Sequence, residues 1–419
     1  MQETRVAMRY VGHYNPGSVQ EFTMVGGYNG LRKALGMTRE GIVEEVKASG
    51  LIGRGGAGFG TGAKWSFMCN TVADQKYLVC NADEGEPATN KDRVLMAGDP
   101  HSLIEGMAIA AYALGASMGY IYLRYEYPYI FPVLEQAIAD AKAAGYLGDN
   151  ILGTGFSFDI RVASGGGAYV CGEETALLES IEGKRGESRF KPPYPASAGL
   201  FGKPTVINNV ETLVNVPAII LNGAGWYKGL GLNGAAGTKI YSLNGNLVNR
   251  GVYEFPEGVC LKDLIYEVGG GCPNGRKLLA VQTGGASGPI INADQINVPF
   301  MANADTGEFG ASLGAGDVMV IDDSNDILEV VENLMEFFTH ESCGKCTPCR
   351  EGNYRLLQLI RKIRSGEGTM ADLDNLEELS RTMMDCSLCG LGQASPTPVV
   401  STLKNFRSAY LACIEGGVR

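Results

Sequence analysis

Apolar residues recur along this chain in two rhythms, and the passage from one to the other divides it. In the first half, short apolar runs at Lys76–Cys80, 119–124 and Phe158–Val162 alternate with longer stretches at about 100–115 and 128–144. Runs of five or six apolar residues bounded by turn residues read as buried strands and the longer stretches as helices, which predicts an α/β fold on a mixed or parallel sheet. Before it, 28–50 reads as short helices, with Thr38 in place to cap the second. Residues 1–27 show no clear period and are expected to form an arm lying across a neighbour or the chain's own surface.

Beyond about residue 228 the order changes. Strands at Thr238–Leu243 and Gly251–Phe255 flank a turn at Asn244-Gly245-Asn246, a helix follows at Leu261–Val268, and strands return near 277–282 and 317–322. This ββα arrangement predicts a β-grasp-like module, expected to act as a spacer or docking unit. From Asp326 the chain turns helical: Ile327, Val330, Val331, Leu334, Phe337 and Phe338 mark one buried face. Similar patterns at 352–364, 370–384 and 397–412 predict four antiparallel helices. The expected units are an arm (1–27), an α/β domain (28–235), a β-grasp-like domain (236–324) and a helical bundle (325–419).

Composition narrows the function. With 419 residues, 45% of them apolar, the chain can bury two or three cores. A net charge of −11 argues against nucleic acid, because phosphate backbones need a basic surface. The longest uncharged run, Met107–Leu123, is broken by Gly115 and Gly119 and ends in a strand-like pattern, so no membrane insertion is expected. Eleven cysteines without a paired framework, and no charged-then-apolar leader, point to a cytoplasmic setting.

The cysteines carry the sharpest chemical signal. Cys343, Cys346 and Cys349 follow a CxxCxxC spacing, and Cys389 stands alone in Ser387-Leu388-Cys389-Gly390. Three thiolates on one tight loop plus one distant partner suit a [4Fe–4S] cube better than zinc, which favours separated pairs. The loop falls between the first two predicted helices and Cys389 between the last two, so both meet at one end of the bundle.

Glycine loops mark a second site. Gly53, Gly55 and Gly58 form a formal G-x-G-x-x-G, but a helical pattern precedes them, and an ordinary dinucleotide fingerprint needs a strand there. The glycines still let backbone amides approach a phosphate or a flat ring, with Arg54 and Lys64 supplying positive charge. Asn81-Ala82-Asp83-Glu84-Gly85-Glu86 follows a strand and offers three carboxylates to hydroxyl or ring N–H donors. Ser164–Gly172 then leads into Glu173 and Glu174 at a helix start, which predicts amides for a phosphate and two glutamates facing one cavity. Lys191-Pro192-Pro193-Tyr194 reads as a stiff lip, and Asn208, Asn209 and Thr212 supply polar groups after another strand.

Taken together, GRGGAGF-x-TG-x-KW, NADEGEP, GAYVCGEETALLESIEGKRG, KPPYP, GKPTVINNVETLVNVP, ESCGKCTPCREG and SLCGLG resemble the NADH-binding flavoprotein subunits of respiratory complex I. They resemble equally the diaphorase subunits of soluble hydrogenases and formate dehydrogenases. The resemblance covers about residues 28–415 and implies FMN, NAD(H) as substrate and one [4Fe–4S] cluster. It implies flavin contacts at Gly53, Gly55, Lys64, Asn81, Asp83, Glu84, Gly172, Glu173, Asn208, Asn209 and Thr212, joined by Arg54 on its charge. It implies nucleotide contacts at Phe59, Phe67, Glu86, Tyr169, Glu174, Lys191 and Tyr194, the aromatic residues stacking on adenine or nicotinamide. Cluster ligands carry over to Cys343, Cys346, Cys349 and Cys389, with Cys386 one turn away as a competitor.

The implied chemistry is hydride transfer from nicotinamide to flavin, then single electrons through the cluster, with no catalytic side chain. Glu86 and Glu174 are expected to tune and position, setting two negative charges near the flavin, and Glu174 to repel a 2′-phosphate. The implied partners are a thioredoxin-like [2Fe–2S] subunit and a larger iron–sulfur subunit, with the chain peripheral to a membrane through them. A flavin-free relay scaffold and a soluble bifurcating assembly are the alternatives.

Overall fold

Strands β1 (Tyr77–Ala82), β2 (Met118–Leu123), β3 (Asp159–Ser164) and β4 (Thr205–Asn209) form an all-parallel sheet in the order β3-β2-β1-β4. The computed structural model describes residues 1–416; residues 417–419 of the expected bundle lie outside the described residues. The chain runs outward from β1 to β3 and then returns to the far side of β1. The switch point therefore falls between β1 and β4, where open parallel sheets bind ligands beyond the strand ends. Asn81–Glu86 and Asn208–Thr212 both leave the sheet there.

Helix Pro100–Leu114 accounts for the uncharged run: nearly every residue in it is buried, Pro100 occupies its first turn and Asp99 caps Ser102 N–H. The helix expected over 128–144 begins at Phe131, after two tyrosine-bearing turns. Residues 4–8 lie along the chain's own surface. Thr4 N–H donates to the carbonyl of Glu254, and the Glu254 carboxylate accepts the amides of Ala7 and Met8 at 2.9 and 2.8 Å.

A second sheet holds β5 (Thr238–Gly245), β6 (Gly251–Pro256), β7 (Leu278–Thr283), β8 (Ile290–Asn292) and β9 (Asp317–Asp322) in the order β6-β5-β9-β7-β8. Only β5 and β9 pair in parallel. This is β-grasp order, with one short strand, β8, beyond those the sequence predicts.

The C-terminal helices Ile327–Glu341, Thr347–Arg364 and Met370–Cys386 follow the predicted pattern. The fourth does not: 397–412 is split into Thr397–Asn405 and Arg407–Gly416. Asn405 ends the first piece by donating to the Ile290 carbonyl at 2.9 Å and accepting from Gln295, which ties the break to the second sheet. Among the described residues no helix is long and apolar enough to cross a membrane.

Candidate functional site

At the switch point opens a cavity of ≈ 810 Å³, within the range of cofactor pockets. Gly53–Gly58 form one wall, a loop held by the Gly53 and Phe59 backbones and leading directly into helix Thr61–Cys69. Asn81, Asp83, Glu84 and Glu86 form another, with Tyr169, Gly172, Glu173 and Asn209 beside them.

The three carboxylates after β1 have separate fates. Glu84 accepts the amides of Asp92 and Arg93 and the hydroxyl of Tyr127, so it caps the Lys91–Gly98 helix. Glu86 accepts the Tyr169 hydroxyl at 2.7 Å and the Ala286 amide. Burial raises the Glu86 carboxyl above its ordinary value, although these donors pull it down. Asp83 is the open acceptor: its Oδ2 is buried without a partner, and burial pushes its carboxyl up to about 7.

Several expectations are corrected here. Arg54 borders the cavity, but its guanidinium is fully buried against Glu257, Tyr227 and the Ala236 carbonyl, because an unpaired charge could not be buried there. Its charge fastens the glycine loop to the β-grasp sheet rather than facing a phosphate, leaving only Nε unpartnered. Glu173 and Glu174 do not face one cavity. Glu173 lines it, but its Oε2 takes the amides of Thr175 and Ala176, so the helix start expected to bind phosphate is capped by its own side chain. Asn208 and Thr212 do not line the cavity: Asn208 accepts the indole N–H of Trp65 at 2.8 Å, and Thr212 accepts the Arg54 amide at 2.8 Å. They support the wall from buried positions.

Lys64, Phe59, Phe67, Glu174, Lys191 and Tyr194 do not line the cavity, though Lys191 reaches its wall through Glu173. Lys64 Nζ pairs with Glu174 Oε2 at 2.9 Å, and Lys191 bridges Glu173 and Glu174 at 2.9 and 3.0 Å. Burial works against the Glu174 charge, but the two lysines outweigh it and hold its carboxyl below the ordinary value. Of the two expected negative charges, Glu174 is countered by two lysines, whereas Glu86 is held by neutral hydrogen-bond donors. Phe59, Phe67 and Tyr194 are exposed, with the two phenylalanine rings 6.4 Å apart. Tyr169 does not join this rim; its ring packs edge-on against Phe337 at 5.1 Å.

The four thiols meet across the chain. Cys343, Cys346, Cys349 and Cys389 line one small void with Val170, Ser342 and Leu391. Gly344 makes the turn between the first two cysteines at φ +77°, and Gly392 lets the following helix approach Cys349, since a Cβ there would stand 2.8 Å from that of Cys349. Burial, together with the neighbouring Cys346, Cys389 and Cys343, pushes the Cys349 thiol up to about 11. Four thiols crowded so closely favour a multivalent cation that takes their protons' place. Cys386 ends its helix exposed and outside the void.

Residues 46–218 match the Nuo51 FMN-binding domain, and residues 329–413 match the NADH-ubiquinone oxidoreductase-F iron-sulfur binding region. A relative from Rhizobium meliloti (strain 1021), the second of its NADH-quinone oxidoreductase F subunits, is 50% identical over 391 residues, covering 93% of each chain. The chain belongs to the NADH-ubiquinone oxidoreductase-F family. Another relative, the NADP-reducing hydrogenase subunit HndC of Solidesulfovibrio fructosivorans, is 47% identical over 414 residues, covering 99% of this chain and 84% of its own. The crystal structure of an NAD⁺-reducing [NiFe]-hydrogenase in the H₂-reduced state superposes with a TM-score of 0.85 at 38% identity, over 98% of this chain and 67% of that one.

Membership in the NADH-ubiquinone oxidoreductase-F family brings FMN and a [4Fe–4S] cluster, and the residues fit both. A cavity whose buried acceptor, Asp83 Oδ2, has no protein donor suits a ligand rich in hydroxyls. Four convergent thiols suit iron. Sequence reasoning missed part of the wall: Lys91 and Lys239, the segments 284–289 and 301–315, and Gly390, Leu391, Ala394 and Thr397 also line the cavity. The β-grasp module therefore builds the site as well as spacing it. Its glycines at 284, 285, 307, 310 and 314 were the available signal.

Proposed function

We propose that this chain is the electron-input subunit of an NADH dehydrogenase complex, oxidising NADH at FMN and delivering electrons through a [4Fe–4S] cluster to a partner subunit. One observation carries the reading: the cavity and the thiol void share Val170 and Leu391 as a common apolar wall. When bound, FMN would supply two-electron and the cluster one-electron redox chemistry, with the protein's residues supplying positioning. Asp83 would accept hydrogen bonds from the flavin side chain, and the Gly55 amide would face it, the Gly53 amide being held by the Phe59 carbonyl. Phe59, Phe67 and Tyr194 offer faces to the bases of the nucleotide, while Glu174 accepts from ribose hydroxyls and is oriented by Lys64 and Lys191. Cys343, Cys346, Cys349 and Cys389 hold the cluster.

The partners are a thioredoxin-like [2Fe–2S] subunit and a larger iron–sulfur subunit, which place the chain at the inner face of a membrane without insertion. A second reading is supported by the HndC match, which covers 99% of the chain: a diaphorase subunit of a soluble hydrogenase or related bifurcating enzyme. Anaerobic purification with co-purifying subunits identified, followed by NADH and NADPH oxidation assays, separates the two. Quinone reduction with membrane subunits supports the first reading; ferredoxin-dependent activity overturns it in favour of the second.

A further inference from the structure

Cys349 is set apart from the other three thiols. It lies in the first turn of helix Thr347–Arg364 and is buried, whereas Cys343, Cys346 and Cys389 are partly exposed. Ser342 Oγ stands 3.2 Å from its sulfur. Asn353, one turn further along the helix, donates from Nδ2 to the same sulfur at 3.3 Å and to the Cys349 carbonyl at 3.0 Å. Among the described residues, no other side-chain hydrogen bond reaches the sulfur of Cys343, Cys346 or Cys389.

The Asn353 amide has one sensible orientation. Flipping it would set Oδ1 against both a carbonyl oxygen and a ligand sulfur, two acceptors facing an acceptor. In the orientation present, Oδ1 is buried without a partner. Asparagine is also a poor residue for a helix interior. Helix packing alone would favour an apolar side chain at this fully buried position. What the asparagine supplies is the N–H aimed at Cys349.

We propose that Asn353, together with Ser342, is a positioning residue for the iron–sulfur site, whose hydrogen bonds to the Cys349 sulfur raise the reduction potential of the bound cluster. The inference rests on the cluster-binding reading above. A cluster gains negative charge when it takes an electron, and donors to its thiolates stabilise that more negative state more than the oxidised one. The two donors thereby make the cluster a better acceptor for electrons leaving the flavin pocket. They also explain why the most buried ligand, least able to draw on water, is the one given protein donors.

The test is an EPR-monitored redox titration of the purified complex, with iron content measured alongside. Ser342→Ala and Asn353→Leu are each expected to shift the cluster potential downward, the double variant furthest, while Ser342→Thr, which keeps the hydroxyl, restores the wild-type value. A cluster present at wild-type iron content with unchanged or higher potential in Ser342→Ala and Asn353→Leu overturns the proposal. If Asn353→Leu fails to retain iron, the Ser342→Ala and Ser342→Thr pair decides by the same criterion. Iron content and EPR spectra that are identical in the wild-type complex and in a Cys343→Ser variant of it would instead refute the cluster reading itself.

Discussion

Tyr169 donates its hydroxyl hydrogen to Glu86 at 2.7 Å, while its backbone N–H donates to Glu341, two residues before Cys343, at 2.9 Å. One residue thus joins a carboxylate of the cofactor cavity to the helix that leads into the cysteine loop. The phenol ring between these contacts rests on Phe337 of that same helix.

Replacing Tyr169 with Phe keeps the ring packing and removes the donor to Glu86. The Glu86 carboxyl, already raised by burial, then rises further because one of the groups holding it down is gone. The expected result is an upward move of the acidic limb in the pH profile of NADH oxidation, with a stability loss of about 1.5–3 kcal/mol from the lost charged hydrogen bond. A pH profile identical to wild type would show that Glu86 does not titrate in the working range.

Glu174→Gln leaves Lys64 and Lys191 facing the nucleotide rim with only Glu173 as a counter-charge. A 2′-phosphate then meets excess positive charge, so the ratio of kcat/KM for NADPH to that for NADH is expected to rise about tenfold, equivalent to ~1.4 kcal/mol. Steady-state kinetics with both nucleotides at low and high salt checks this, since the gain should shrink as salt screens it.

The fourth thiol is decided by position. Cys389 lines the void with the other three, and Cys386 is exposed away from it. Cys389→Ser is expected to lose the EPR signal of the cluster and most of its iron, and Cys386→Ser to keep both. The reverse outcome would mean that helix Met370–Cys386 unwinds to present its last residue.

Asp83 makes the flavin-free protein sensitive to pH. Its folded value of about 7 lies above the ordinary 3.8, so its contribution favours folding below pH 4 and is lost as pH rises through 7. Asp83→Asn removes this dependence, and its stability relative to wild type is expected to improve steadily from pH 4 to pH 8 in urea titrations. A difference that stays constant across that range would place the Asp83 carboxyl near its ordinary value.

Much of this protein is legible in local pattern. Short apolar runs alternating with helical periods predict the parallel sheet, the CxxCxxC loop announces iron, and glycine-rich turns mark where backbone must come close to a ligand. These signals survive in sequence because they depend on neighbours a few residues apart. Arg54, Glu173 and Lys64 show where that legibility stops. Each is a charged residue in a ligand-binding motif; Arg54 and Lys64 are directed by partners distant along the chain, Glu257 and Glu174, and Glu173 is shared between Lys191 and the amides of its own helix. A buried or half-buried charge goes where its counter-charge stands, and only the packed structure sets that place. The same holds for the wall made by 301–315 and by Leu391, which come from the loop before β9 and from the C-terminal helices. Cysteine spacing determined that this chain would hold a cluster, and the resemblance of its glycine-rich motifs to a flavoprotein family implied the flavin. Tertiary packing decided which charges would remain to meet the ligand, and that Val170 and Leu391 would be what separates the two sites.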